Sequence, residues 1–134
     1  MLMYVVCKSP FQSEISFKDG CVHIIGSVDL MNKMNDLKIS FGKDPRNWPA
    51  SKAAYSEEDL LINEFIQKCH MIFKLTYEHA ELCHCRMVPT ERVFEAIKQG
   101  CQQIEDIGRA TLAGTGCGSC KADITALLDQ FKIS

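Results

Sequence analysis

Cys83-His84-Cys85, followed after 31 intervening residues by Cys117-Gly118-Ser119-Cys120, is the part of the chain that decides its fold. Each close pair of thiols is already held within one ligand span. The two pairs can therefore meet at one site if the residues between them form a returning pair of helices. The second pair sits in Ala113-Gly114-Thr115-Gly116-Cys117-Gly118-Ser119-Cys120, just before an expected helix. Glycine lets the backbone curl around an anionic object, and amides at a helix N-terminus stabilise negative charge there. Hydrophobic periodicity supplies the helices. Glu91 to Lys98 aligns Val93, Ala96 and Ile97 and stops at Gly100, Gln103 to Ala110 forms a short helix, and Lys121 to Phe131 spaces Ile124, Leu127, Leu128 and Phe131 at i, i+3, i+4, i+7. The C-terminal half reads as helices joined by tight turns, with thiols in an anion cradle.

Two metal centres suit four such cysteines. Zinc takes four thiolates or imidazoles around one atom, and structural zinc modules commonly use C-x2-4-C pairs of short reach. A 2Fe-2S cluster spreads four thiolates over two irons and leaves bridging sulfides that accept backbone hydrogen bonds. The glycine-rich turn matches the second demand better. A cluster with its four thiolates carries a charge of about −2, more negative by one when reduced, whereas residues 83–134 hold six basic and six acidic side chains and are neutral without it. Arg86, Arg92, Arg109 and Lys121 are candidates to offset that charge.

Cys83-x-Cys85-x-x-Val88, Ala96-Ile97, Gly100, Ile104, Ile107 and Thr111-x-Ala113-Gly114-Thr115-x-Cys117-Gly118-Ser119-Cys120 resemble the BFD-like 2Fe-2S domain. That family includes bacterioferritin-associated ferredoxin, and related domains occur in nitrogen-fixation cluster scaffolds and nitrite reductases. The resemblance covers about residues 83 to 130. It implies a compact helix-turn-helix fold with a 2Fe-2S cluster near its surface, held by Cys83, Cys85, Cys117 and Cys120. The family often places a Thr-Glu pair directly after the valine, whereas this chain has Val88-Pro89-Thr90-Glu91. Capping is therefore expected to shift to Thr90, with Glu91 in the first turn.

Upstream the texture differs. Ile15-Ser16-Phe17 and Cys21 to Ile25 flank Asp19-Gly20, a dipeptide suited to a two-residue hairpin turn. Leu37 to Phe41 alternates as a third strand would, and Gly42 to Pro49 carries the breaker residues of a surface loop. From Ser56 the period becomes helical: Ser56 and Asp59 resemble a capping box, and Leu61, Phe65, Ile66, Cys69, Ile72 and Phe73 share a face. A long helix from Ser56 to about Glu81 is expected to lead into the first ligand pair. The fold class is α+β, with a mixed region over residues 1–80 and an all-α cluster domain over 81–134.

Composition bounds the function. With 134 residues, 46% apolar and 24% charged, the chain is ordinary globular material. A net charge of −2 offers no basic stripe for nucleic acid, and no stretch nears the roughly 18 apolar residues of a membrane span. The opening Met1 to Cys7 lacks a basic segment and is too short for a signal peptide, so the expected compartment is the cytoplasm, where thiols stay reduced. The remaining cysteines are expected to pack. Cys69 belongs to the core, Cys101 follows a helix end, and Cys7, Cys21 and His23 lack an evident fourth ligand for a second metal site. His70 points about 100° away from Cys69, and His84 faces solvent between two ligands.

No nucleotide fingerprint, nucleophile elbow or zinc-hydrolase motif occurs. A one-electron carrier serving a redox partner is therefore expected rather than an enzyme. The alternatives are an iron-sulfur assembly, transfer or iron-handling component that serves an iron-sulfur or iron-storage protein, and a zinc-stabilised interaction module.

Overall fold

Asp19 and Gly20 both adopt positive φ, 54° and 77°, as a type I′ hairpin turn requires. The turn joins β2 (Glu14–Lys18) to β3 (Cys21–Ile25), and β1 (Val5–Lys8) pairs antiparallel on the other side of β2. The computed structural model describes residues 4–9, 13–51, 53–116 and 118–133, in an α+β arrangement of two units that part between residues 73 and 74. Among the described residues no helix is long and apolar enough to cross a membrane.

In the first unit, strand register sorts the side chains. Val5, Phe17 and Val22 align across the sheet, as do Cys7, Ile15 and Ile24, and these form its inner face. Two helices follow. α1 (Val28–Phe41) is capped by Ser27, whose Oγ accepts the Leu30 N–H at 3.2 Å. α2 (Glu57–Cys69) is capped by Ser56, which accepts the Asp59 N–H at 3.3 Å. Lys33 of α1 ties the helices together by donating to Ser56 Oγ at 2.8 Å and Asp59 Oδ1 at 3.0 Å.

Three expectations are corrected here. Leu37 to Phe41 is the last turn and a half of α1, because Leu30, Met34 and Leu37 point inward at helical spacing. Gly42 to Pro49 is more than a surface loop: Pro45–Asn47 forms a 3-10 turn and Trp48, 1% exposed, enters the core. Trp48 Nε1 donates to the Gly42 carbonyl at 2.9 Å, and its ring lies 6.3 Å from that of Phe65. The helix expected to reach Glu81 ends at Cys69. Met71 turns left-handed at φ 60°, its N–H bonds the Lys68 carbonyl, and the Ile72 N–H bonds that of Gln67. This Schellman closure leaves Ile72 outside the core.

Cys69 is core, as expected, and burial pushes its thiol up to about 11 from 9.0, with the Asp44 carboxylate assisting and Arg46 opposing. The raised folded-state value means the unfolded chain releases this proton first. Stability from Cys69 is thus intact below pH 9.0 and declines toward pH 11, by up to about 1.4 kcal/mol per pH unit. Urea unfolding between these pH values is expected to show that slope, and Cys69→Ala to flatten it. An unchanged slope in the variant would refute the assignment.

The second unit opens with a short antiparallel ladder, β4 (Glu81–Cys83) with β5 (Val88–Pro89), an addition to the helices expected there. α3 (Thr90–Lys98), α4 (Ile104–Thr111) and α5 (Lys121–Gln130) follow. Gly100 closes α3 in a second Schellman motif: its N–H bonds Ile97, that of Cys101 bonds Ala96, and φ is 108°. Val93, Ile97, Ile107, Ile124 and Leu127 are fully buried between the helices, and the Phe94 and Phe131 rings lie 4.9 Å apart. Gln130 holds the lead-in segment at two points, donating to the Lys74 carbonyl at 2.7 Å and accepting the Thr76 N–H at 2.8 Å. Tyr77 donates to the Glu81 carbonyl at 2.8 Å. Thr90 does not cap α3. Its hydroxyl instead donates to the His79 carbonyl, its N–H bonds Ala80, and Pro89 occupies the cap without a side-chain bond.

Candidate metal centre

β4 carries Cys83 into the interior, where it is 0% exposed beside buried Leu82. The ladder pairs Cys83 with Val88, and the four residues between them turn the chain so that Cys85 stands at the surface. Cys83 Sγ lies 3.8 Å from Cys85 Sγ and within hydrogen-bonding reach of Cys120 Sγ. Cys120, 5% exposed, is the residue from which α5 begins. Sequence-distant thiols are thereby gathered around Cys83. Cys117, expected as the fourth ligand, lies outside the described residues.

The loop after α4 is shaped by its own hydroxyls. Thr111 Oγ1 donates to the Ile107 carbonyl at 2.8 Å and accepts the Ala113 N–H at 3.1 Å, which turns the chain inward. Thr115 Oγ1 donates to the Leu112 carbonyl at 2.6 Å. Gly114 takes φ +79°, and its backbone N–H serves both the Cys83 and Cys120 sulfurs. At Gly116 an added Cβ would stand 2.5 Å from Cys85 Sγ and 3.4 Å from Arg86 Nε, so the glycine backbone lies directly against the loop that carries Cys85.

The thiols are not electrostatically equivalent. Burial pushes the Cys83 thiol up, but the amides of Gly114 and Arg86 and the neighbouring Cys120 and Cys85 thiols outweigh it, and the net direction is down. Cys120 moves up, chiefly by burial and then by the adjacent Cys83 sulfur. Among the described residues no three metal-ligating side chains surround a single ion position.

The donor set is soft sulfur, aimed amides stabilise thiolate charge, and a missing Cβ leaves room at Cys85. These residues fit a 2Fe-2S cluster.

The other candidates separate. Cys7 faces the core whereas Cys21 and His23 lie on the exposed face of the sheet, so the three do not converge. Cys101 is half-buried near the Asp106 carbonyl, 3.9 Å away. His84 is exposed and pairs with Glu81 at 2.7 Å. Of the four basic residues, Arg92 is turned to Glu95 and Arg109 to Asp106, whereas Arg86 and Lys121 lie along the glycine loop. The shared Gly114 amide and the Arg86 amide were not individually legible in the sequence, because a backbone donor carries no residue-type signal of its own.

Comparison with known proteins supports the cofactor. The family model described as BFD-like [2Fe-2S] binding domain matches residues 82–130. A nitrite reductase (NAD(P)H) of Emericella nidulans is 33% identical over 54 residues, which is 40% of this chain and 5% of that protein. The chain thus covers a small part of that relative. No solved structure matches. Residues 82–130 match a BFD-like [2Fe-2S] binding domain, and the cofactor is a 2Fe-2S cluster.

Proposed function

We propose that the protein is a one-electron carrier whose cluster is held by Cys83, Cys85, Cys117 and Cys120. The supporting observation is the unequal placement of the thiols about one cradle. Cys83 and Cys120 are buried beneath the glycine loop, while Cys85 stands at the surface. A 2Fe-2S cluster supplies one reversible electron, and its sulfur ligands tune the potential through the hydrogen bonds they accept. Burial of two ligands retains the cofactor, and exposure of the third gives an electron a short way out. The matched relative is by name a reductase that uses NAD(P)H, which supports redox service for the shared segment.

The test is the visible spectrum of anaerobically purified protein with iron and acid-labile sulfide analysis, repeated for Cys117→Ser. Charge-transfer bands with equal iron and sulfide are expected, and their loss in the variant. Colourless protein containing zinc without sulfide would refute the reading and support the zinc module. The exposure of Cys85 also favours a second reading, donation of the cluster to another protein. Cycling with dithionite and air, then offering an apo-acceptor, separates them: a carrier keeps its cluster, a donor surrenders it.

A further inference from the structure

Two large apolar side chains stand in solvent on the loops that flank the candidate centre: Met87 is 77% exposed and Leu112 is 58% exposed. Both occupy left-handed backbone, with φ of 55° and 72°. Met87 ends the hairpin loop that carries Cys85, and Leu112 ends α4 with its N–H on the Gly108 carbonyl at 2.9 Å. Left-handed positions in such turns and helix ends favour glycine or asparagine, since a Cβ there crowds the following carbonyl oxygen. An exposed Met and Leu gain no core packing to offset that crowding. Folding alone therefore does not account for either residue.

Their charged neighbours point the same way. Arg86, adjacent to Met87, reaches the Gly116 backbone, and Lys121 lies along Gly114 and Gly118. Among the described residues Arg86 and Lys121 enter no ion pair, whereas Arg92 and Arg109 do. Loops carrying apolar tips and unpaired cations match an interface with a desolvated apolar middle and a charged rim.

We infer that Met87 and Leu112, bordered by Arg86 and Lys121, form a docking face for a redox protein that presents an apolar patch rimmed by carboxylates. The inference rests on the electron-carrier reading and adds the partner's chemistry to it.

The test uses the full-length protein, with cluster content read first from its spectrum. The reduced protein is mixed in stopped flow with acidic plastocyanin or with basic cytochrome c, both oxidants. Faster oxidation by plastocyanin, slowing as salt rises, is expected. The double variant Arg86→Glu/Lys121→Glu should reduce that rate by about tenfold or more and raise the rate with cytochrome c. Met87→Gly/Leu112→Gly should leave Tm unchanged or higher while weakening plastocyanin docking, seen as a higher concentration needed for half-maximal rate. Carbodiimide cross-linking of Lys121 to plastocyanin reports docking without electron transfer. A preference for cytochrome c, or a glycine variant that docks as well as the parent, would overturn the inference. A colourless preparation that still cross-links would instead count against the cluster reading alone.

Discussion

Replacing Gly116 with Ala is expected to strip most of the cluster from the protein while leaving the helices intact. Gly116 does not occupy the left-handed region, so its backbone accepts alanine without conformational penalty. The added methyl would stand 2.5 Å from Cys85 Sγ and 3.6 Å from Cys85 Cβ. Carbon and sulfur need well over 3 Å, so either the ligand or the loop must move. Changes immediately around metal ligands typically lower affinity by about 10- to 100-fold. Gly116→Ala should therefore show depleted iron and sulfide with a far-ultraviolet circular dichroism spectrum like that of the apo-protein. Full cluster content in the variant would mean that Cys85 is not a ligand where it stands.

The second large effect lies in the other unit. Trp48→Ala should lower the unfolding free energy by about 3–5 kcal/mol, as aromatic deletions in cores do. Small domains have only about 5–15 kcal/mol in total, so a large share of stability would go. Two losses combine: the ring leaves a cavity beside Phe65, and the Gly42 carbonyl at the end of α1 loses its indole donor. Trp48→Phe keeps most of the volume and should cost less, which isolates the hydrogen bond. Urea denaturation followed by circular dichroism reads both. A cost for Trp48→Ala within the surface-substitution range of about 0.5 kcal/mol would show that the tryptophan is not a core anchor.

What the sequence made legible follows the strength of local signals. Asp19-Gly20 fixed the hairpin because few other dipeptides accept positive φ at both turn positions. Gly100 marked the end of α3 for the same reason. The end of α2 was invisible, because Met71 performs a glycine's task without a glycine's signature. α1 is masked in the sequence because Val28, Met31 and Ile39 place apolar surface on its solvent side and blur the helical period. Trp48 hid in a segment whose Asp, Pro and Gly residues all announce a loop, and only tertiary packing draws it inward.

At the candidate site the cysteine spacing carried the cofactor, and the domain match agrees. Which cations lie along the glycine loop is not readable in the sequence, since Arg86 and Arg92 look alike until Glu95 claims one of them. Met87 and Leu112 were equally silent, because exposure and φ belong to the folded chain.

The two bonds from Gln130 bear on where an autonomous cluster fragment begins. Family resemblance starts at residue 82, yet the amide of this last helical residue grips backbone at Lys74 and Thr76. A fragment cut at the homology limit would release the C-terminal end of α5, the helix that starts at Cys120. The mechanical unit is thus longer at its leading edge than the inherited motif, and any shortened version should retain the tether from Lys74 onward.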